Sequence, residues 1–151
     1  MEYFTKEEKI DDKVVRVKIW DTAGQEKFKS LTRNFYKNSH GVLVCYDVTN
    51  RKSFENVQTW VDSIKDNSSA GIKMVLVGNK TDLTREVLTD EGKKLAELHN
   101  CPFFETSAKT DVGVQDCFLR LIKDVVSDFH KEEEGIKLNV QSQGEGGGCG
   151  C

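Results

Sequence analysis

Val15, Val17 and Ile19 alternate with Arg16, Lys18 and Trp20. That period of two is the signature of a strand with one face buried. Asp11-Asp12-Lys13, just before it, has the composition of a hairpin turn, so residues 3–10 are expected to be its antiparallel partner. Gly41-Val42-Leu43-Val44-Cys45-Tyr46-Asp47-Val48 is almost continuously apolar, the pattern of a strand covered on both faces. Ser53 is placed to cap a helix with Phe54, Val57, Trp60, Val61 and Ile64 on one face. A second buried strand follows at 72–78, then a short helix at 89–98 that Gly92 should weaken, then a short strand at 102–106. Val114, Cys117, Phe118, Leu121, Ile122, Val125 and Phe129 mark one face of a long last helix.

After the first hairpin the order is strand, helix, strand, helix, strand, helix. This predicts an α/β domain with a parallel sheet and one antiparallel hairpin. Apolar periodicity stops near residue 132, where Glu132-Glu133-Glu134 leads into a polar stretch ending Gly146-Gly147-Gly148-Cys149-Gly150-Cys151. The expected organisation is a domain over 1–131 and a flexible tail over 132–151.

Composition narrows the class. A chain of 151 residues, 37% hydrophobic and 31% charged, is long enough for one domain with a sizeable core. Its net charge of −3 gives no basic footprint for nucleic acid. No window approaches a membrane span, and no basic-then-apolar leader opens the sequence. Cys45, Cys101 and Cys117 stand singly among apolar residues and read as reduced core thiols.

Chemistry enters at the strand ends, because ligands of open α/β sheets sit beyond the carboxyl ends of the strands. Trp20-Asp21-Thr22-Ala23-Gly24-Gln25-Glu26 follows the second hairpin strand. In a nucleoside-triphosphate switch such a run supplies an Asp for Mg²⁺ through water, a Gly whose N–H approaches the terminal phosphate, and a Gln that orients the attacking water. Asn79-Lys80-Thr81-Asp82 follows the strand at 72–78, and Thr106-Ser107-Ala108-Lys109 follows the strand at 102–106. A carboxylate such as Asp82 accepts two parallel hydrogen bonds from guanine's ring N–H and amine, a pair that adenine lacks. Asn79 is expected to tie the base edge to neighbouring loops, and the stem of Lys80 to cover one face of the base. Ala108 is expected to offer its N–H to the guanine carbonyl, with Ser107 bracing the loop and Lys109 covering the ring. An Asn-Lys-x-Asp tetrapeptide alone is an ordinary surface turn; three such motifs in order, each after an apolar strand, are not.

With these residues on the page, the chain resembles the Ras superfamily of small GTPases, Rab branch. Arg16-Val17-Lys18-Ile19-Trp20, Lys27-Phe28-Lys29-Ser30-Leu31-Thr32 and Leu43-Val44-Cys45-Tyr46-Asp47-Val48-Thr49 are similar to Rab segments. The resemblance implies a P-loop-NTPase-like fold, GTP/GDP and Mg²⁺ as ligands, and Gln25 as the catalytic residue. It implies Asp21, Thr22, Ala23 and Gly24 at the phosphates, with Asp21 serving the metal. It places the effector-facing aromatic triad on Tyr3, Trp20 and Phe35. Phe35-Tyr36-Lys37-Asn38-Ser39 departs from the family's usual Tyr-Tyr-Arg-Gly-Ala. The implied partners are an exchange factor, a GTPase-activating protein, effectors, a dissociation inhibitor, and an escort protein with its geranylgeranyl transferase, around a monomer.

Cys149 and Cys151 resemble the family's double prenylation site; a zinc site would need further ligands nearby. From residue 132 onward four Glu face one Lys, leaving −3, so the tail gains nothing from anionic lipid. One lipid gives only marginal attachment, so both cysteines are expected to be modified. The implied location is the cytoplasmic face of endomembranes, with a cytosolic pool.

No Gly-x-x-x-x-Gly-Lys-Ser/Thr occurs in the 151 residues. By resemblance about forty residues with the phosphate loop, first strand, first helix and first switch should precede Tyr3. Charge-assisted hydrogen bonds are worth about 1.5–3 kcal/mol each, so losing about five predicts on the order of 10 kcal/mol less phosphate binding. The family's first strand lies between those at about 14–20 and 41–48, so two unpaired edges are expected within the sheet. The alternatives to a cycling switch are a non-catalytic, lipid-anchored module that occupies effectors or escort proteins, and a non-functional fragment.

Overall fold

The computed structural model describes residues 3–22, 36–69 and 71–141. The first two strands, β1 (Tyr3–Ile10) and β2 (Lys13–Trp20), form an antiparallel hairpin, from Ile10 opposite Lys13 to Tyr3 opposite Trp20. Asp11 takes the left-handed conformation, φ 53°, that closes the tight turn. The turn is one residue shorter than its composition suggests, because Lys13 already belongs to β2.

The rest is a layered α/β unit. Strands β3 (Gly41–Asp47), β4 (Lys73–Asn79) and β5 (Phe103–Glu105) make a parallel sheet in the order β3-β4-β5. Helices α1 (Arg51–Glu55) and α2 (Val57–Asn67) connect β3 to β4, α3 (Thr89–Leu98) connects β4 to β5, and α4 (Val114–Gln141) follows β5. Val44, Tyr46, Val48 and Leu76 pack with Val57, Val61 and Ile64 of α2 and with Ala96 of α3. On the other face Val75, Val77 and Leu43 meet Cys117, Phe118 and Leu121 of α4. The continuous apolar runs of β3 and β4 are thus explained by cover on both sides.

Four expectations are corrected. Ser53 is not a helix cap: Asn50, extended at φ −134°, accepts the Ser53 N–H, and the helix begins at Arg51. The single helix over that stretch is two, meeting at Asn56. The helix α4 runs to Gln141, longer than the apolar face that ends at Phe129 suggests. Cys117 is buried and Cys101 half-buried, but Cys45 is exposed rather than in the core. Even so, crowding by surrounding atoms, and secondarily the Cys117 thiol, push the Cys45 thiol up to about 11.

Among the described residues the hairpin and the parallel sheet are separate sheets. The β1/β2 residues Lys6, Glu8, Val17 and Ile19 face Phe118 and Ile122 of α4 across a groove of about 300 Å³. Among the described residues β3 pairs with β4 alone. No helix among the described residues is long and apolar enough to cross a membrane.

Candidate nucleotide-base site

Parallel register brings the polar strand ends together. Asp47 stands opposite Asn79, and Gly78 opposite Glu105. Val48 N–H donates to the Asn79 carbonyl at 2.9 Å, and Thr106 N–H to the Gly78 carbonyl at 2.8 Å, so the pairing carries one step past the strands. The loops that leave these ends must therefore touch.

They are bonded side chain to side chain. Asn79 Oδ1 accepts from Thr106 Oγ1 and from the Ala108 N–H, each at 3.1 Å. Ser107 Oγ donates to Asp82 Oδ1 at 2.6 Å and accepts the Thr110 N–H at 3.2 Å. Thr81 donates twice to the Thr106 carbonyl, through its N–H and its Oγ1. Thr106 and Ser107 are buried, whereas Lys80, Asp82, Ala108 and Lys109 are exposed. Exposed polar groups on a buried, bonded footing are what a pre-organised ligand site requires.

Charge in this corner is directed. The Ser107 hydroxyl, more than anything else, holds the Asp82 carboxyl below the usual carboxylate range, with smaller help from Lys109 and Lys80. Asp82 is thus ionised at neutral pH and can accept a pair of N–H groups. The Ala108 N–H is already committed to Asn79, so a guanine carbonyl there would share that donor. Gly113, at φ +69°, closes the loop behind it; a Cβ would stand 2.6 Å from the Glu105 carbonyl oxygen.

Several contributors were missed from the sequence. Arg85 Nη1 clasps Glu105 Oε1 at 2.8 Å and Thr89 Oγ1 at 2.6 Å, and Thr89 Oγ1 reaches Glu105 at 3.0 Å. This clamp ties the loop after Asp82 to the residue just before Thr106. Asp47 lies at the end of β3 with Lys80 Nζ 2.6 Å from its Oδ2. The strand-end rule that singled out Asn79 would also have found Asp47.

The phosphate-side residues are less gathered. Asp21 and Thr22 are exposed at the end of β2, and no hydrogen bond among the described residues joins them to the base corner. Ala23, Gly24 and Gln25 lie outside the described residues, as do Phe35, Cys149 and Cys151. No cluster of three His, Cys, Asp or Glu occurs among the described residues; a Mg²⁺ ion of a nucleotide site takes one or two carboxylates together with substrate phosphates and water. On the hairpin, Tyr3 and Trp20 are cross-strand neighbours with ring centroids 4.9 Å apart, and Lys18 Nζ sits 4.7 Å over the Tyr3 ring. Two of the three expected effector-facing aromatics thus form one exposed patch.

Comparison with known proteins shows the family. The Ras family model matches residues 1–127. Ras-related protein Rab-13 of Mesocricetus auratus is 45% identical over 119 residues, 78% of this chain and 59% of that protein. Ras-related protein RABE1e of Arabidopsis thaliana is 41% identical over 140 residues, 87% of this chain and 64% of that protein. Ras-related protein Rab-8A of Rattus norvegicus is 37% identical over 145 residues, 89% of this chain and 70% of that protein. The chain belongs to the Ras family, within its Rab branch of small GTPases. It spans about three-fifths of the length of the Rab-13 relatives it matches, 59% in each case.

Proposed function

We propose that this chain carries the guanine-recognising part of a Rab-type nucleotide switch that regulates vesicle and membrane traffic. The observation that supports this best is the cross-bonding of Asn79 and Asp82 to Ser107 and Ala108, which fixes an ionised carboxylate at the parallel strand ends. Guanine presents a ring N–H and an amine to that carboxylate. Adenine presents no such pair, and a site built around Asp82 leaves the carboxylate unpaired when adenine enters. Asn79 holds the two loops at a fixed spacing, while Lys80 and Lys109 flank the ring. Family membership implies GTP/GDP and Mg²⁺, with Asp21, Thr22, Ala23 and Gly24 on the phosphate side and Gln25 orienting water for hydrolysis.

In this reading the base contacts set the preference for guanine over adenine. Prenylation at Cys149 and Cys151 would hold the protein on the cytoplasmic face of endomembranes, with escort protein, geranylgeranyl transferase and dissociation inhibitor as handling partners. Exchange factor, GTPase-activating protein and effectors would complete the cycle. A second reading is favoured by the exposed Tyr3–Trp20 patch: a non-catalytic, lipid-anchored module that occupies effectors or escort proteins. Titration with a fluorescent guanine nucleotide in the presence of Mg²⁺, against its adenine counterpart, tests the proposal. Saturable binding with clear guanine preference is expected; equal binding of both bases, or of neither, overturns it.

A further inference from the structure

Lys80 is one of four described residues other than glycine in the left-handed region, at φ 69°. Such a backbone persists for a long side chain only when its surroundings hold it there. The flanking bonds are plain: the Asn79 carbonyl accepts Val48 N–H, and Thr81 is tied to the Thr106 carbonyl. The side chain is held at its far end, where Nζ meets Asp47 Oδ2 at 2.6 Å.

Asp47 is itself immobilised. Its Oδ1 accepts from Thr49 N at 2.9 Å and from Thr49 Oγ1 at 2.7 Å. Its backbone N–H donates to Ser53 Oγ at 3.0 Å. Burial pushes the Asp47 carboxyl up, but the Lys80 and Thr49 bonds outweigh it and leave it below the usual range. The carboxylate is the fixed anchor and the half-exposed Lys80 is the adjustable arm.

A second carboxylate lies in the same turn. Asp82 is two residues beyond Lys80, and the Lys80 ammonium is the weakest of the influences that lower its carboxyl, after the Ser107 bond and Lys109. Asp82 is the group that the guanine reading needs free. The Lys80 ammonium is paired to Asp47 at 2.6 Å, while Asp82 is bonded to Ser107, and a charge-assisted bond of that length is a strong one.

We infer that Asp47 is a positioning residue for base recognition: it draws the Lys80 ammonium away from Asp82, leaving that carboxylate open to guanine and the Lys80 stem standing beside it. This rests on the guanine reading of the corner. Three variants separate the possibilities, with GDP and ADP as probes in isothermal titration of the full chain. Asp47→Asn keeps an oxygen for Thr49 but releases Lys80, which then swings onto Asp82; GDP affinity should fall roughly three- to tenfold. Lys80→Met retains an aliphatic stem without the charge. The double variant should therefore regain most of the affinity that Asp47→Asn loses, a rescue that a merely structural staple would not show. Unchanged GDP affinity in Asp47→Asn, or a double variant no better than Asp47→Asn, overturns the role of Asp47 alone. Wild-type protein that binds GDP no better than ADP overturns the guanine reading and this inference with it.

Discussion

The hairpin and the parallel sheet use the same residue types to opposite effect. In β3 and β4 nearly every side chain is at least half covered, and Val75, Leu76 and Val77 are buried. In β1 and β2 only Ile10 is buried; Phe4 and Val14 are 61% and 68% exposed. The hairpin is held by its ladder, by Arg16 paired to Glu7, by Lys6 paired to Glu8 and by the tilted contact of the Tyr3 and Trp20 rings. Exposed pairs of that kind contribute about 0–1 kcal/mol each, and a two-stranded ribbon by itself is marginal in water. Regular hydrogen bonding therefore does not measure stability here; cover by a second layer does.

The largest test of that contrast is a pair of truncations. Leu76→Ala, in the middle strand, should cost about 2–5 kcal/mol. Val17→Ala, on the hairpin face toward α4, should cost under about 1 kcal/mol. Urea unfolding of both variants decides it. Equal losses would mean that hairpin and sheet unfold as one unit and that the groove against α4 is closed in solution.

A smaller effect probes the packing above the sheet. Gly92 weakens the propensity of α3, and the structure shows why it is there: a Cβ would run into the Tyr46 hydroxyl and stand 2.5 Å from the Phe103 ring. Gly92→Ala gains about 1 kcal/mol of helix propensity against an overpacking cost of about 1–3 kcal/mol. A lowered melting temperature is expected, and a raised one would show that the Tyr46 ring can give way.

The smallest effect lies on the surface of the packed half. Arg51 Nη1 meets Glu91 Oε1 at 2.6 Å, and this pair, with the Leu88 N–H, lowers the Glu91 carboxyl from 4.5 to about 2. A carboxyl lowered by folding stabilises the protein above its ordinary value and loses that contribution as pH falls toward the folded value. Stability should thus decline between about pH 4.5 and about 2. Arg51→Met should flatten that decline, as read by urea midpoints across the window. An unchanged slope would assign the acid sensitivity to other carboxylates, Asp47 and Asp82 foremost.

Most elements of the sheet were legible because β3, β4 and the face of α4 carry long apolar runs whose period leaves little choice. The helix after β3 was misread at its start because Ser53 and Asn50 are both competent caps, and only the backbone conformation decides between them. The base-site motifs were visible as residue types at strand ends. Their bonding was not, because Asn79 meets Ala108 across 29 positions and Asp82 meets Ser107 across 25. Arg85, Glu105 and Thr89 were invisible for the same reason, since each looks like an ordinary surface residue until the loops are folded together.

The sequence by itself determined the family, the order of the strands, and which polar side chains stand at the strand ends. Those are matters of local pattern and residue chemistry. Tertiary structure decided how those side chains are used. It spent the Ala108 N–H on Asn79, anchored Lys80 to Asp47, and bonded Asp82 to Ser107. Among the described residues it also divided the strands into two sheets, and Cys45 of β3 is exposed in an otherwise apolar run. Such outcomes depend on which groups the parallel register sets side by side and on which strand edge finds a partner, and neither is written in the local order of residues.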